Sequence, residues 1–290
     1  MHRFANISEL KTTESIALAE SVVFGRPPAP PEPRIASLVP SLTELVIALG
    51  LGPQLVARTG FCIHPADMVR GVPKVGGTKD VNLAKLQGLR PTHVLVNVDE
   101  NRVDSVNAIR EWPSADAPQI IVTHPLGPED NLALVAQLVG CFGHVAGVNE
   151  RAAALTRALQ DELACTRPEA WPARQVLYLI WREPWMTVAR DTYLSRMLAR
   201  VNMQTLPDVL GGKTGAARYP VVTGAEAWLA QVQQVLLSSE PYAFGAQHFD
   251  AARQLCPNAQ VRLIDGEMLS WFGARAVPGL RYLRDLAATA

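Results

Sequence analysis

Residues 35–50 read Ile35-Ala36-Ser37-Leu38-Val39-Pro40-Ser41-Leu42-Thr43-Glu44-Leu45-Val46-Ile47-Ala48-Leu49-Gly50. The first five positions form a short apolar run, and Pro40 ends it because proline has no N–H to give a sheet ladder. Ser41 and Glu44 then stand at capping-box spacing. That spacing predicts a helix start in which Ser41 accepts from the third helical N–H while Glu44 reaches back. The helix runs through Leu49 and is closed by Gly50. A strand handed directly to a helix is the first unit of a parallel α/β architecture.

The same alternation continues outward. A strand is expected near Leu55–Ala57, a helix over 82–89, a strand over 92–98, a helix over 103–111, a strand over 119–123 and a helix over 130–141. Ala152, Leu155, Leu159 and Leu163 then recur along one face with charges between them, which predicts one long amphipathic helix at 147–166. A second set follows: a strand over 175–180, helices over 192–200 and 224–231, a strand over 234–237, a helix over 246–255, a strand over 261–264 and a closing helix from Val277. The fold class is α/β: two parallel-sheet lobes bridged by one long backbone helix, with a ligand cleft between the lobes. The expected boundaries are an N-terminal extension and proline-rich linker at 1–33, a first lobe at 34–146, the bridging helix at 147–167 and a second lobe at 168–290. Ligands in open parallel sheets bind beyond the carboxyl ends of the strands. Function is therefore sought in the loops after Val39, Val98, Ile180, Leu237 and Ile264.

The linker is Arg26-Pro27-Pro28-Ala29-Pro30-Pro31-Glu32-Pro33, too proline-dense for a helix or a central strand. What precedes it is one short accessory helix at most, with Ile7, Leu10, Ile16, Leu18 and Val22 as its apolar contacts. Asn6, Glu9 and Lys11 interrupt the start where a signal peptide needs a continuous hydrophobic segment, so the chain as written is expected in the cytoplasm, or in the periplasm if a leader has been removed.

Composition narrows the function. Of 290 residues, 48% are hydrophobic and 19% charged, enough apolar material for one or two cores. Lysine plus arginine equals aspartate plus glutamate at 27 each, leaving no basic field to hold a nucleic-acid backbone. No apolar run reaches the length of about 20 residues that spans a bilayer. Cys62, Cys141, Cys165 and Cys256 are widely spaced without a zinc-site pattern, and no HxxH or HExxH spacing occurs among the histidines. Gly212-Lys213-Thr214 resembles the end of a phosphate-binding loop, but Pro207 occupies the position of its first glycine.

Aromatic residues are few: seven Phe, six Trp and five Tyr. Several fall at strand ends. Trp181-Arg182-Glu183-Pro184-Trp185 follows the strand that opens the second lobe, Trp271-Phe272-Gly273-Ala274-Arg275 follows the last strand, and Arg218-Tyr219-Pro220 lies in a loop. Single aromatics of this kind often cap a core. Together they suggest a flat apolar ligand clamped by rings, with Arg275 available to an anionic edge.

Ile35–Gly50, Val75-Gly76-Gly77-Thr78 followed by Asn82-Leu83, and Leu89-Arg90-Pro91-Thr92-His93-Val94-Leu95-Val96 resemble the first lobe of class III substrate-binding proteins. These are the helical-backbone receptors for cobalamin, haem and iron-siderophores. Ser270 to Ala276 is similar to the closing segment of their cobalamin-binding branch, and the resemblance covers residues 34–288. It implies a rigid bridging helix, a ligand in the cleft and an ABC permease as partner. It places Pro40 and Ser41 on the cleft floor, Thr78 on the first-lobe wall, and Trp185, Tyr219, Trp271 and Arg275 on the second-lobe side, where Trp181 joins them by its position after the strand. The implied ligand is cobalamin or another metal chelate, with no intrinsic cofactor and no metal site. Two departures stand out. Thr78 occupies a position where cobalamin binders tend to have an aromatic ring, and Ala84 stands where the family has a permease-docking glutamate, which together with the interrupted apolar start points away from delivery to a membrane transporter and leaves Glu226 as the second-lobe docking candidate.

Two other readings use the same cleft. One is a cytoplasmic enzyme acting on a corrinoid or metal chelate, with Glu183, Asp265 and Glu267 as acid–base groups. The other is an interaction module whose cleft is filled by Phe61-Cys62-Ile63-His64.

Overall fold

In a computed structural model that describes residues 32–115 and 117–289, the first sheet is built as the alternation predicts. Its elements are β1 (Ile35–Ser37), α1 (Pro40–Ala48), β2 (Leu55–Arg58), α2 (Ala66–Val69), α3 (Leu83–Gly88), β3 (His93–Asn97), α4 (Val103–Arg110), β4 (Gln119–Thr123) and α5 (Asp130–Phe142). The strands run parallel in the order β2-β1-β3-β4, with Ile35 opposite His93 and His93 opposite Gln119. Ile35, Leu95 and Ile121 face one core, with Leu45, Leu138 and Phe142; Ala36, Val94 and Val96 face the other, with Leu86 and Ile109. Burial on both faces explains why the central strands β1 and β3 read as continuous apolar runs rather than alternating ones.

The start and end of α1 obey different rules. Pro40 is its first residue and Val39 its N-cap, with no side-chain cap, so the expected Ser41–Glu44 capping box does not form. Proline at the first position leaves one orphan donor fewer and needs no such cap. Glu44 is instead turned to Arg275. At the other end Gly50 N donates to the Ile47 carbonyl and Leu51 N to the Val46 carbonyl, a Schellman closure that requires the left-handed backbone Gly50 adopts at φ +81°.

The bridging segment is α6 (Val148–Cys165), followed by β5 (Arg174–Leu179), β6 (Trp185–Met186), α7 (Tyr193–Ala199), β7 (Met203–Thr205), β8 (Val221–Val222), β9 (Gln234–Ser238), α8 (Phe249–Leu255), β10 (Gln260–Ile264), α9 (Gly266–Ser270) and α10 (Ala276–Ala288). The second sheet is parallel in the order β10-β9-β5-β7, and β6 pairs antiparallel with β8 as a separate ribbon. The chain thus forms two parallel-sheet α/β lobes. The helix expected over 224–231 is a 3-10 turn at Ala227–Gln231, because the Glu226 carboxylate captures the N–H groups of Thr223 and Gly224 and Val232 is already extended toward β9. The expected N-terminal helix and the linker as far as residue 31 lie outside the described residues. Cys62 and Cys256 are buried, Cys141 half-buried and Cys165 exposed, all as free thiols.

Both lobes belong to one compact unit, Glu32–Ala290. The closing segment ties them. Phe272 packs into the first-lobe core beside Leu45, the Gly273 N–H donates to Asn131 Oδ1, and Asn131 Nδ2 donates to the Tyr193 hydroxyl at 3.0 Å. Gly273 sits at φ +76°, where a Cβ would lie 3.2 Å from Leu45 Cβ. Below it, α6 is held to α10 by Glu162, which accepts from Arg281 and Arg284. Burial alone raises the Glu162 carboxyl, but the two guanidinium groups outweigh it and hold it below its ordinary value. A carboxyl depressed in the folded state stabilises fully above its unfolded value, about 4.3, and loses that contribution as pH falls through the folded one. Because Arg281 is largely exposed, Glu162→Gln is expected to cost about 1 kcal/mol at neutral pH and almost nothing near pH 3, read by denaturant titration at both.

Candidate functional site

A cavity of about 710 Å³ opens between the lobes at the carboxyl ends of both sheets. Each loop flagged by strand topology reaches it: Pro40 and Ser41 after β1, Asn97 at the end of β3 with Asp99 and Glu100 after it, Ile180 and Trp181 after β5, Glu240 and Pro241 after β9, and Glu267 with Ser270–Phe272 after β10.

The first-lobe wall is fixed by buried polar groups. Arg58, at the end of β2, donates to the carbonyls of Val69 (2.9 Å), Cys62 (3.0 Å) and Thr59 (3.2 Å). The loop thus pinned presents Phe61, 62% exposed, and Ile63, 50% exposed, at the cavity edge. Asn101 does the same for the next two segments. Its Nδ2 donates to the carbonyls of Leu38 and Thr78, while its Oδ1 accepts from Asn97 N. Thr78 and the Asp99–Glu100 pair are set against the cavity by one amide.

The second-lobe wall is a chain of hydrogen bonds. The Tyr178 hydroxyl donates to Ser238 Oγ (2.9 Å), which donates to the Glu240 carbonyl (2.6 Å). Glu240 Oε1 accepts from Ser270 Oγ (2.6 Å) and Trp271 Nε1 (2.8 Å). Desolvation raises the Glu240 carboxyl; these two donors oppose that rise, and the Glu267 charge adds to it. Arg218, only 1% exposed, reaches across the cleft to Asp99 Oδ2 at 3.2 Å. Beside it burial pushes the Tyr219 hydroxyl up.

Of the eight residues that the sequence assigns to the ligand, Pro40, Ser41, Thr78, Trp181, Tyr219 and Trp271 line this cavity. Trp185 and Arg275 do not. The Trp185 ring stacks on Phe244 at 5.9 Å with the planes 9° apart, because β6 turns it onto the second-lobe core. Arg275 is buried in a charge network: it grips both Glu44 oxygens, donates to Glu267 Oε2 at 2.8 Å and lies 4.6 Å over the Trp271 ring. No anionic edge of a ligand is left for it. Glu226 is folded into its own turn, accepting from Thr223 N, Thr223 Oγ1 and Gly224 N within 2.9 Å. Phe61 and Ile63 stand at the rim and do not fill the cleft. Of the three acid–base candidates, Glu183 is exposed and Asp265 caps α9 through Met268 N; only Glu267 reaches the cavity.

Asp99, Glu100 and Glu240 were not legible as site residues, although two of the flagged loops contain them. A carboxylate after a strand is ordinary in sequence, and only the cross-cleft placement distinguishes these. Among the described residues no group of three or more His, Cys, Asp or Glu is placed to hold a metal ion, and no helix is long and apolar enough to cross a membrane.

Residues 35–217 match the family described as periplasmic binding protein. An uncharacterised ABC transporter substrate-binding lipoprotein of Bacillus subtilis is 28% identical over 171 residues, 57% of this chain and 52% of its own length. A vitamin B12-binding protein of Vibrio vulnificus is 35% identical over 86 residues, 30% of each chain. The chain spans about half or less of the length of these curated relatives. Among solved structures, the periplasmic vitamin B12 binding protein of Vibrio cholerae superposes with a TM-score of 0.69 at 19% identity, covering 89% of this chain and 98% of that one. The periplasmic haem binding protein of Vibrio cholerae gives 0.70 at 20% identity, covering 88% and 98%. At such identities the likeness is one of fold. These relatives and neighbours are binding proteins, none of them an enzyme.

Proposed function

The chain belongs to the periplasmic binding protein family, and from that premise we propose that its cleft receives a metal chelate, a corrinoid first, with haem and ferric siderophores as competitors for the same space. The observation that carries this reading is the cavity itself: about 710 Å³ between two lobes, edged by exposed rings from each, Phe61 on one side and Trp181 on the other. Such a volume suits one compact organic ligand, and ring faces on both walls suit a flat one. The partner is then the permease of an ABC importer. Because relatives and neighbours are named as lipoproteins or periplasmic proteins, we place the encounter with ligand outside the cytoplasm, against the expectation from the interrupted apolar start. Ala84 carries no charge for docking, and Glu226, the second-lobe candidate, holds its carboxylate in its own turn at a half-exposed position.

Titration of the full chain with cyanocobalamin, following tryptophan quenching and the visible corrinoid bands together, tests the reading, with haem and a ferric siderophore in parallel. Saturable quenching by one of the three, with its spectrum unchanged over hours, is the expected result. Silence with all three overturns the receptor reading, and a spectrum that drifts with time would favour an enzyme.

A further inference from the structure

Glu100 and Glu240 approach one cavity from opposite lobes, Glu100 after β3 and Glu240 after β9. They are unequally provided for. Glu240 Oε1 is held by Ser270 and Trp271, while its Oε2 meets no donor among the described residues. Glu100 accepts no hydrogen bond from any described residue through either carboxyl oxygen. Lys79, the cation that acts on it, directs its Nζ to the Asp99 carbonyl at 2.7 Å. The other two lining carboxylates are already answered: Asp99 by Arg218, Glu267 by Arg275 and His64. Desolvation raises the Glu100 carboxyl; Lys79 opposes the rise, and the charges of Glu240 and Asp99 add to it.

The cavity therefore holds four carboxyl groups and a single lining guanidinium, and its unmet acceptors gather at Glu100 and Glu240. A carboxyl oxygen on the cavity wall that no protein group donates to is left for a ligand donor, and a further negative charge brought between two carboxylates is repelled by both. An amide and a carboxylate have almost the same shape, so packing cannot separate them. Charge and donor capacity can.

We propose that Glu100 and Glu240 form a specificity filter, which accepts chelates presenting N–H donors between the lobes, primary amides above all, and rejects chelates that bring a carboxylate to the same place. The filter rests on the reading of the cleft as a metal-chelate receptor. Peripheral amides of a bound ring would donate to Glu100 from one side and to the free oxygen of Glu240 from the other, so the ligand completes a hydrogen-bond set that the protein leaves open.

The test uses matched ligands on the unmodified full chain. Cyanocobalamin is compared near pH 7.5 with its monocarboxylate derivatives, each carrying one of the six primary peripheral amides hydrolysed to carboxylate. At least one isomer is expected to bind about tenfold more weakly than the parent, identifying the amide that lies between the carboxyls. Glu100→Gln should narrow that ratio toward one. A ratio is the proper readout, because any change in folding affects both ligands alike. If every one of the acids binds as the parent does, the filter is overturned and the receptor reading survives. Haem binding more tightly than the corrinoid also overturns the filter alone, since haem carries two carboxylates. If neither the corrinoids nor haem nor a ferric siderophore binds, the filter and the receptor reading fall together.

Discussion

Arg275→Ala is expected to lower the unfolding free energy by about 3 kcal/mol, the scale set when one partner of a buried ion pair is removed. The wild-type guanidinium is 11% exposed and sits between Glu44 of the first lobe, 13% exposed, and Glu267 of the second, 25% exposed. It also covers the Trp271 ring. Truncation leaves two half-dry carboxylates facing one another, with His64 as the remaining partner of Glu267. Arg275→Lys should recover only part of the loss, because an ammonium group cannot match the bidentate grip on Glu44. Denaturant titration measures this. A variant that melted like the wild type but lost ligand affinity would return Arg275 to the role its sequence position suggests.

The largest effect on binding is expected from Phe61→Ala and Trp181→Ala together, about a hundredfold loss in affinity for the preferred chelate, built from about tenfold for each ring. The two rings belong to opposite lobes, so their contributions should add in free energy. Both are substantially exposed, at 62% and 41%, so the unfolding midpoint should move little. Quenching titrations of the single and double variants check this. Unchanged affinity in the double variant would show that the rim rings do not clamp the ligand.

Much of the fold could be read because its signals are local. β1, α1 and Gly50 are set by an apolar run, a proline and a left-handed glycine within sixteen residues, and the strand 93–97 is apolar because both of its faces are covered. The strand-end loops were legible for the same reason, since parallel topology sends them all to one edge. What escaped depends on contacts made far away. Glu44 has the spacing of a capping residue, and only Arg275, 231 residues later, shows it to be a lobe tie. Trp185 and Trp181 are both indoles after one strand. The two-residue pairing of β6 with β8 turns one onto Phe244 and leaves the other at the cavity. Glu100 and Glu240 have no local signature, because what joins them is one cavity reached from opposite lobes.

The return of Phe272 and Gly273 into the first-lobe core also bears on how the protein comes into being. During synthesis, residues 35–142 leave the ribosome long before the segment that covers the side of their core beside Leu45 and Asn131, a separation of 142 residues for the Asn131–Gly273 bond. Until then that apolar wall is open, and its closure is a contact of high sequence separation, the slow and aggregation-exposed kind. The first-lobe core thus gains its last wall only after the second lobe has been translated.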